Sequence, residues 1–279
     1  MTTIALFGAA GKMGARTAAK LAECGEYRVL HVEANPRAEA TLRQRGIAPT
    51  TAAAAASQAD VLVLAVPDAA IGRVAHEIVP QMKPGSLLIC LDPAAPVAGE
   101  LPDRPDVAYF CTHPCHPPLI KQEAEPEAQA DFFGGVARQH IVCALMQGSE
   151  DDYALGEAVA RAMFAPVMTA HRITVEQMAL LEPALTETVV LTCLSVVREA
   201  LDEVIARGVP AEAATDFILG HMGVNVGMFF GYNDIEISDG AKLAMGRGRE
   251  ALFMPDWKQA FEWENVMAQV QAIANVEKD

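Results

Sequence analysis

The chain has 279 residues, enough to bury a large core and form two domains, and its 36 Asp and Glu outweigh 21 Lys and Arg to give a formal charge of −15. This balance repels polyanions and argues against nucleic acid as a partner, and a small anionic substrate would need local help from a cation or from helix N-termini. No apolar run reaches the roughly 18 residues of a membrane span, and the N-terminus reads as a strand rather than a signal peptide, so no membrane partner and a cytoplasmic location are expected.

Thr3–Phe7 is a short apolar run, followed by the turn Gly8-Ala9-Ala10-Gly11-Lys12-Met13-Gly14 and then by Ala15, Ala18, Ala19 and Leu21 at helical spacing. Strand, glycine-rich turn and helix in that order are how a dinucleotide-binding fold begins. One glycine makes the turn, one lets the backbone approach a pyrophosphate, and one lets the helix pack close to the strand. The spacing is G-x-x-G-x-x-G, with Ala10 where the second glycine usually stands. Gly8, Ala10, Gly11, Lys12, Met13 and Gly14 are therefore expected to bind the cofactor. A second strand, Tyr27–Val32, ends at Glu33, nineteen residues after Gly14, where an acid can meet the adenosine ribose. An acid there favours NAD over NADP, although Arg37 and Lys12 lie close enough to complicate the preference.

Short helices are expected over Ala38–Arg45 and Thr51–Ser57. Asp60–Val66 reads as a strand buried on both faces, because it is apolar without alternation. It ends at Pro67-Asp68, and Asp68 should border the cofactor, since ligands sit beyond the carboxyl ends of parallel strands. A crossover helix over Ile71–Met82 leads to a strand at Ser86–Leu91. Another strand, Val107–Cys111, carries at its end Thr112-His113-Pro114-Cys115-His116-Pro117-Pro118. Two histidines in a proline-stiffened loop at the functional edge of a sheet form the most chemically loaded cluster in the chain. Lys121–Asp131 reads as a helix-poor surface excursion. Strands at Gln139–Met146 and Ala165–Thr169 flank a helix over Ser149–Met163. The six cysteines, scattered through apolar segments, suit reduced thiols.

From Ile173 onward the pattern turns to long helices, which places a domain boundary near residue 170: a dinucleotide-binding domain over 1–170 and a helical substrate and dimerisation domain over 171–279. Val175–Ala206 is a long apolar stretch that Pro183 should kink or interrupt. Ala211–Phe230 holds Gly220, Gly223 and Gly227, with Gly231 following, on one face, a stripe that would let another helix or the cofactor approach and that suggests a homodimer. Ala241–Ala251 and Trp257–Asn275 complete the helices. Glu182 is the acid beside Pro183, Glu187 lies five residues on, and His221 and Asn225 are one turn apart. A reaction follows from these residues: NAD⁺ takes hydride from a carbinol while a histidine takes the hydroxyl proton, and a divalent cation held by His113 and Glu182 could acidify that hydroxyl. His116 or His221 would move the proton, with Glu182 also in the catalytic set.

The GAAGKMG turn, the AVPD strand end, the THPCHPP loop and a helical half beginning HRITVEQMALLEPALTE resemble the β-hydroxyacid and 6-phosphogluconate dehydrogenase superfamily over essentially the whole chain. Within it they resemble the D-apionate oxidoisomerases, often labelled semialdehyde dehydrogenase NAD-binding proteins. The resemblance implies an α/β fold with a Rossmann-type parallel sheet and an all-helical second domain. It also implies NAD-dependent oxidation of a branched sugar acid with carboxylate migration, from D-apionate to 3-oxoisoapionate. β-Hydroxyacid dehydrogenases proper carry a catalytic lysine early in the second domain, where Glu182 falls here, which favours a metal over lysine-assisted dehydrogenation. The alternatives are a simple 3-hydroxyacid dehydrogenase and an NAD-sensing protein without turnover.

Overall fold

The computed structural model of the chain describes residues 1–275. It divides into two compact units, one built from residues 1–183 with the stretch from Val266 onward and the other from Ala184–Asn265. The boundary expected near residue 170 falls instead inside the last strand of the sheet. Residues 276–279 of the expected second domain lie outside the described residues.

The first unit is a seven-stranded sheet of β1 (Thr2–Phe7), β2 (Tyr27–Val32), β3 (Val61–Leu64), β4 (Leu87–Cys90), β5 (Ala108–Pro114), β6 (Gln139–Gln147) and β7 (Val167–Arg172). The order is β2-β1-β3-β4-β5-β6-β7. All neighbours are parallel except β5 and β6, which run antiparallel. The expectation of a parallel sheet therefore holds apart from that pair. Antiparallel neighbours need no long crossover, and the segment between them carries only the five-residue helix Pro126–Ala130.

Successive residues of the central strands point to opposite faces, and both faces are buried. Ala5, Phe7, Leu62, Leu64, Leu88 and Cys90 belong to one apolar cluster, and Ile4, Leu6, Val61, Val63, Leu87 and Ile89 belong to the other. The covering helices of this unit are α1 (Lys12–Cys24), α2 (Pro36–Gln44), α3 (Ala52–Gln58), α4 (Asp68–Ile78), α5 (Ala94–Val97), α6 (Pro126–Ala130) and α7 (Glu150–Met163). α1 can lie against the β1 turn only because two glycines let backbone meet backbone. Gly8 has φ +77°, and a Cβ there would stand 2.3 Å from the Ala65 carbonyl oxygen. A Cβ on Gly14 would stand 2.0 Å from the Gly8 carbonyl oxygen.

α8 (Val175–Ala179) begins behind a capping box of Thr174 and Gln177, and its Val175 and Met178 pack into the sheet core. Pro183 interrupts the regular α-helix, as expected, without ending the helical winding: Leu180–Leu191 runs as a π-helix, after which α9 (Thr192–Ala206) resumes the ordinary pitch. Proline lacks an N–H and its ring crowds the carbonyl one turn back, and an extra residue per turn relieves both problems. The whole helix, Val175–Ala206, has a window of mean hydropathy 1.6 and is long and apolar enough to cross a membrane by length and composition, contrary to the expectation of no such run. Only 11% of that window is buried within the chain.

In the second unit α9 and α11 (Asp239–Leu252) bury no residue, and α10 (Ala211–Phe229) buries only Ala214 and Gly227. The glycine stripe is shorter than expected. Gly220 and Gly223 face open space, Gly227 meets the Asn233 amide, and Gly231 lies past the helix end at φ +71°. A short 3₁₀ turn, Trp257–Phe261, precedes α12 (Trp263–Ala274), whose Val266, Val270 and Ala274 are buried.

The backbone contact at Gly14 yields the first prediction. Gly14→Ala drives a methyl into the Gly8 carbonyl, so α1 must shift, at a cost of about 1–3 kcal/mol in chemical denaturation. The control Gly25→Ala meets no atom within 4 Å, and its cost comes only from the left-handed backbone.

Candidate active site

A cavity of about 860 Å³ opens beyond the carboxyl ends of β1, β2 and β3, lined by Gly8, Ala10, Gly11, Glu33, Arg37 and Arg73 among others. Its floor is the glycine turn, and no side chain caps α1 at Gly11, which leaves the helix N-terminus suited to an anion. The Glu33 carboxylate accepts a short hydrogen bond from the Ala10 N–H, which ties the end of β2 to the turn. Gly8, Ala10, Gly11 and Glu33 thus stand together as anticipated. Lys12, Met13, Gly14 and Asp68 do not line this cavity. The Lys12 ammonium lies 4.1 Å from the Phe133 ring centroid, Met13 packs against the core, and Gly14 serves the backbone contact with Gly8.

A second cluster forms where β5 ends. His113 Nδ1 lies 2.9 Å from the Pro114 carbonyl, which can only accept, so Nδ1 carries the proton and Nε2 keeps its lone pair. That Nε2 is 3.7 Å from Glu182 Oε1. Burial pushes the His113 imidazole below its ordinary pKa and the Glu182 carboxyl above its own. Both shifts favour the uncharged forms, and with Nδ1 as the donor to Pro114 the Nε2 lone pair faces Glu182, an arrangement that a shared proton or a cation would complete. Asp68 belongs to this cluster rather than to the dinucleotide cavity. Burial raises its carboxyl against the pull of His113, and its proximity helps raise Glu182. Among the described residues no group of three or more His, Cys, Asp and Glu stands ready to hold a metal, and of the expected ligand pair the structure shows only the 3.7 Å approach of His113 to Glu182.

His116 is the sole non-glycine residue with positive φ among the described residues, at +61°. That left-handed conformation is uncommon for a residue with a Cβ. Its Nδ1 donates to the Phe133 carbonyl at 2.9 Å, and its ring centroid is 6.0 Å from that of His113. Burial lowers its pKa, an effect that the Phe133 hydrogen bond opposes. The structure thus brings His113, His116, Glu182 and Asp68 together. His221 lies in the second unit on α10, exposed, with Nδ1 2.8 Å from the Phe217 carbonyl and its ring stacked on Phe217 at 4.0 Å.

The sequence reading missed the segment that holds His116. The Asp131 carboxylate accepts the backbone N–H groups of Phe133, Gly134, Val136 and Ala137, so the stretch after the supposed surface excursion is a built turn. The signal was present in Asp131-Phe132-Phe133-Gly134-Gly135, an acid followed by residues able to curl over it.

Two family models match the chain: phosphogluconate dehydrogenase (decarboxylating) C-term over residues 121–274, and NADP oxidoreductase coenzyme F420-dependent over 3–94. A D-apionate oxidoisomerase from Rhizobium rhizogenes is 50% identical over 275 residues, covering 98% of this chain and 100% of the relative. One from Pectobacterium atrosepticum is 38% identical over 283 residues, covering 100% and 99%. The chain belongs to the D-apionate oxidoisomerase family. It is accordingly an enzyme of the oxidoreductase class, as the sequence resemblance implied. A crystal structure of a semialdehyde dehydrogenase NAD-binding protein from Cupriavidus necator, in complex with calcium and NAD, superposes with a TM-score of 0.94 at 46% identity, covering 98% of this chain and 99% of that one. An NADH-preferring ketol-acid reductoisomerase shares the fold at a TM-score of 0.70 and 20% identity, covering 98% and 82%.

In this family member the Asp131 turn has a defined acid limit. Burial works against the carboxylate, but four N–H donors outweigh it and hold its pKa at about 2, below the ordinary 3.8. A depressed carboxyl pKa stabilises above the unfolded value, so this contribution is complete above about pH 4 and fades as pH falls toward about 2. Asp131→Asn should remove that step from an acid titration followed by hydrogen exchange of the 133–137 amides.

Proposed function

We propose that this enzyme oxidises D-apionate with NAD and rearranges its carbon skeleton to give 3-oxoisoapionate. One observation carries the reading: the lone pairs of His113 Nε2 and Glu182 face each other at 3.7 Å beside Asp68, in a family whose Cupriavidus necator structure is described with calcium and NAD. The dinucleotide cavity supports NAD, because the glycine turn and the uncapped start of α1 line it and Glu33 stands at the end where a 2′-phosphate would be repelled. The approach of His113 to Glu182 supports a divalent cation, since desolvated carboxyls with raised pKa recover their charge beside a cation.

When bound, NAD supplies the hydride acceptor and a divalent cation supplies Lewis acidity toward the substrate oxygens. The chain's own residues do the rest. His113 and Glu182 would hold the cation, and His116 Nε2, whose lone pair is free because Nδ1 is the donor to Phe133, would take the proton of the hydroxyl beside the carboxylate as hydride leaves its carbon. D-Apionate has a secondary carbinol next to the carboxylate and a tertiary carbinol beyond it, and only the former can become a ketone. The tertiary hydroxyl then loses its proton as one hydroxymethyl shifts to the new ketone carbon, whose oxygen takes a proton. The carboxylate keeps its bond to that carbon throughout, so the migrating group in this reading is a hydroxymethyl and not the carboxylate first inferred. His221 is the alternative proton carrier.

A homodimer through the second unit fits the same reading. Phe217, Leu219, Phe229, Phe230 and Leu252 are each more than 60% exposed, a density of large apolar side chains that an isolated helical unit would not leave in water.

Three measurements test the proposal. Enzyme, NAD⁺ and D-apionate should yield NADH and a rearranged skeleton by ¹³C NMR, while chelator or His113→Ala should abolish both; an unrearranged ketone, or full activity in chelator, would overturn the rearrangement in favour of plain hydroxyacid oxidation. His116→Gln should lower kcat by about 10²–10⁴-fold, and His221→Asn should leave most of it; the reverse pattern transfers the proton to His221. Light scattering should give twice the 29.7 kDa chain mass, and Gly220→Leu should weaken that dimer, whereas the isolated chain offers nothing within 4 Å to resist the new side chain.

A further inference from the structure

We propose that Arg16 is a positioning residue: from helix α1 it donates to the Phe133 carbonyl that also holds His116 Nδ1, so that the cofactor-turn helix sets the tautomer and aim of the site histidine. Arg16 Nη1 lies 2.8 Å and His116 Nδ1 2.9 Å from that single oxygen. A carbonyl oxygen has two lone pairs, and here both are taken. Because the oxygen can only accept, His116 is held as its Nδ1–H tautomer, and the lone pair stays on Nε2, the nitrogen a base would use.

The position of this carbonyl is tightly determined. Asp131 gathers four backbone N–H groups around residues 133–137, and Lys121 donates a short hydrogen bond to the Asp131 carbonyl. The Phe133 ring lies under two cations spaced one turn apart on α1, with Lys12 at 4.1 Å and Arg16 at 5.0 Å. Gly134 has φ +96°, and a Cβ there would stand 2.5 Å from Arg16 Nη2, so the turn is glycine where the guanidinium passes.

Stability alone does not account for this arginine. Its Nε and Nη2 are buried without hydrogen-bond partners, and burial pulls its pKa below the ordinary value, outweighing the attraction of Asp131. A guanidinium that leaves buried donors unsatisfied is costly, and an apolar side chain of similar volume would fill the space at less expense. What the arginine supplies and an apolar residue cannot is a second donor on the Phe133 oxygen, together with a rigid link from α1, whose first residue follows the dinucleotide turn, to the loop carrying His116.

The inference rests on the reading of His116 as the proton acceptor, and the test separates the two. Arg16→Met and Arg16→Lys are compared by NAD titration calorimetry, by kcat and KM, and by ¹⁵N NMR of the imidazole nitrogens, which reports the tautomer directly. Arg16→Met should lower kcat by about 10- to 100-fold with NAD affinity unchanged, and should shift His116 toward a mixture of tautomers. Arg16→Lys, which retains an N–H donor and a cation over Phe133, should recover part of both. Arg16→Gln, a neutral donor, serves in the same assays if Arg16→Met does not fold. An unchanged His116 tautomer in Arg16→Met would overturn the inference, as would a loss of turnover matched by loss of NAD binding. If His116→Gln proves fully active, the role of His116 falls, yet the tautomer shift in Arg16→Met still decides whether Arg16 positions it.

Discussion

The first unit depends on one close approach, the backbone of Gly14 against the carbonyl of Gly8, with Gly8 itself against the carbonyl of Ala65. Those contacts fix α1 relative to β1 and β3, and everything functional hangs on that frame. The dinucleotide cavity is the space left beyond the three strand ends, the Ala10 N–H that Glu33 accepts belongs to the turn between the two glycines, and Lys12 and Arg16 project from the helix the contact has fixed. A methyl group at either glycine would displace the helix and with it both the cavity and the support of the His116 loop.

Around the second cluster, burial rather than charge pairing sets the chemistry. Asp68 and Glu182 are pushed toward their neutral forms and His113 and His116 toward theirs, in each case with desolvation as the leading cause. A set of acids and imidazoles all disfavouring charge is an expensive arrangement for folding and an apt one for a site that receives a cation and moves protons. A protein that only sensed NAD would need the cavity and the glycine turn but not this cluster. The two alternatives separate on the same point, since plain hydroxyacid oxidation needs a base, whereas a carbon shift gains from Lewis acidity at two oxygens.

Much of this was legible in the chain. The β1 turn, the buried β3 run ending at Pro67-Asp68 and the His113/His116 loop were readable because apolar patterning and glycine and proline chemistry are local signals. Asp68 was assigned to the dinucleotide because strand-end rules say where a residue emerges but not which neighbour it meets. The Asp131 turn was hidden for a related reason: its hydrogen bonds are between one side chain and amides up to six residues away, a pattern without periodicity. The antiparallel β6 was also out of reach, because direction depends on how a connection closes and not on the composition of the strand. Val175–Ala206 was read as a long apolar stretch but not as a run of membrane-spanning length, because Glu182, Pro183 and Glu187 break its run of letters without ending its helical winding.

That last case shows how the acid of the site is placed. An ordinary α-helix through Pro183 would lose a hydrogen bond and force the ring against a carbonyl, costing about 3 kcal/mol or more. The chain keeps the helix by widening it from Leu180 to Leu191, and Glu182 stands in the first turn of that widened segment, immediately before the proline. α8, just upstream, is anchored by its capping box and by Val175 and Met178 in the sheet core, so the start of the π-segment is fixed while its pitch is altered. A π-turn is less stable than the α-helix it replaces and survives where something outside the helix repays it. Here the proline sets the pitch and the anchored turn before it sets the position, and together they hold a desolvated carboxylate opposite the lone pair of His113.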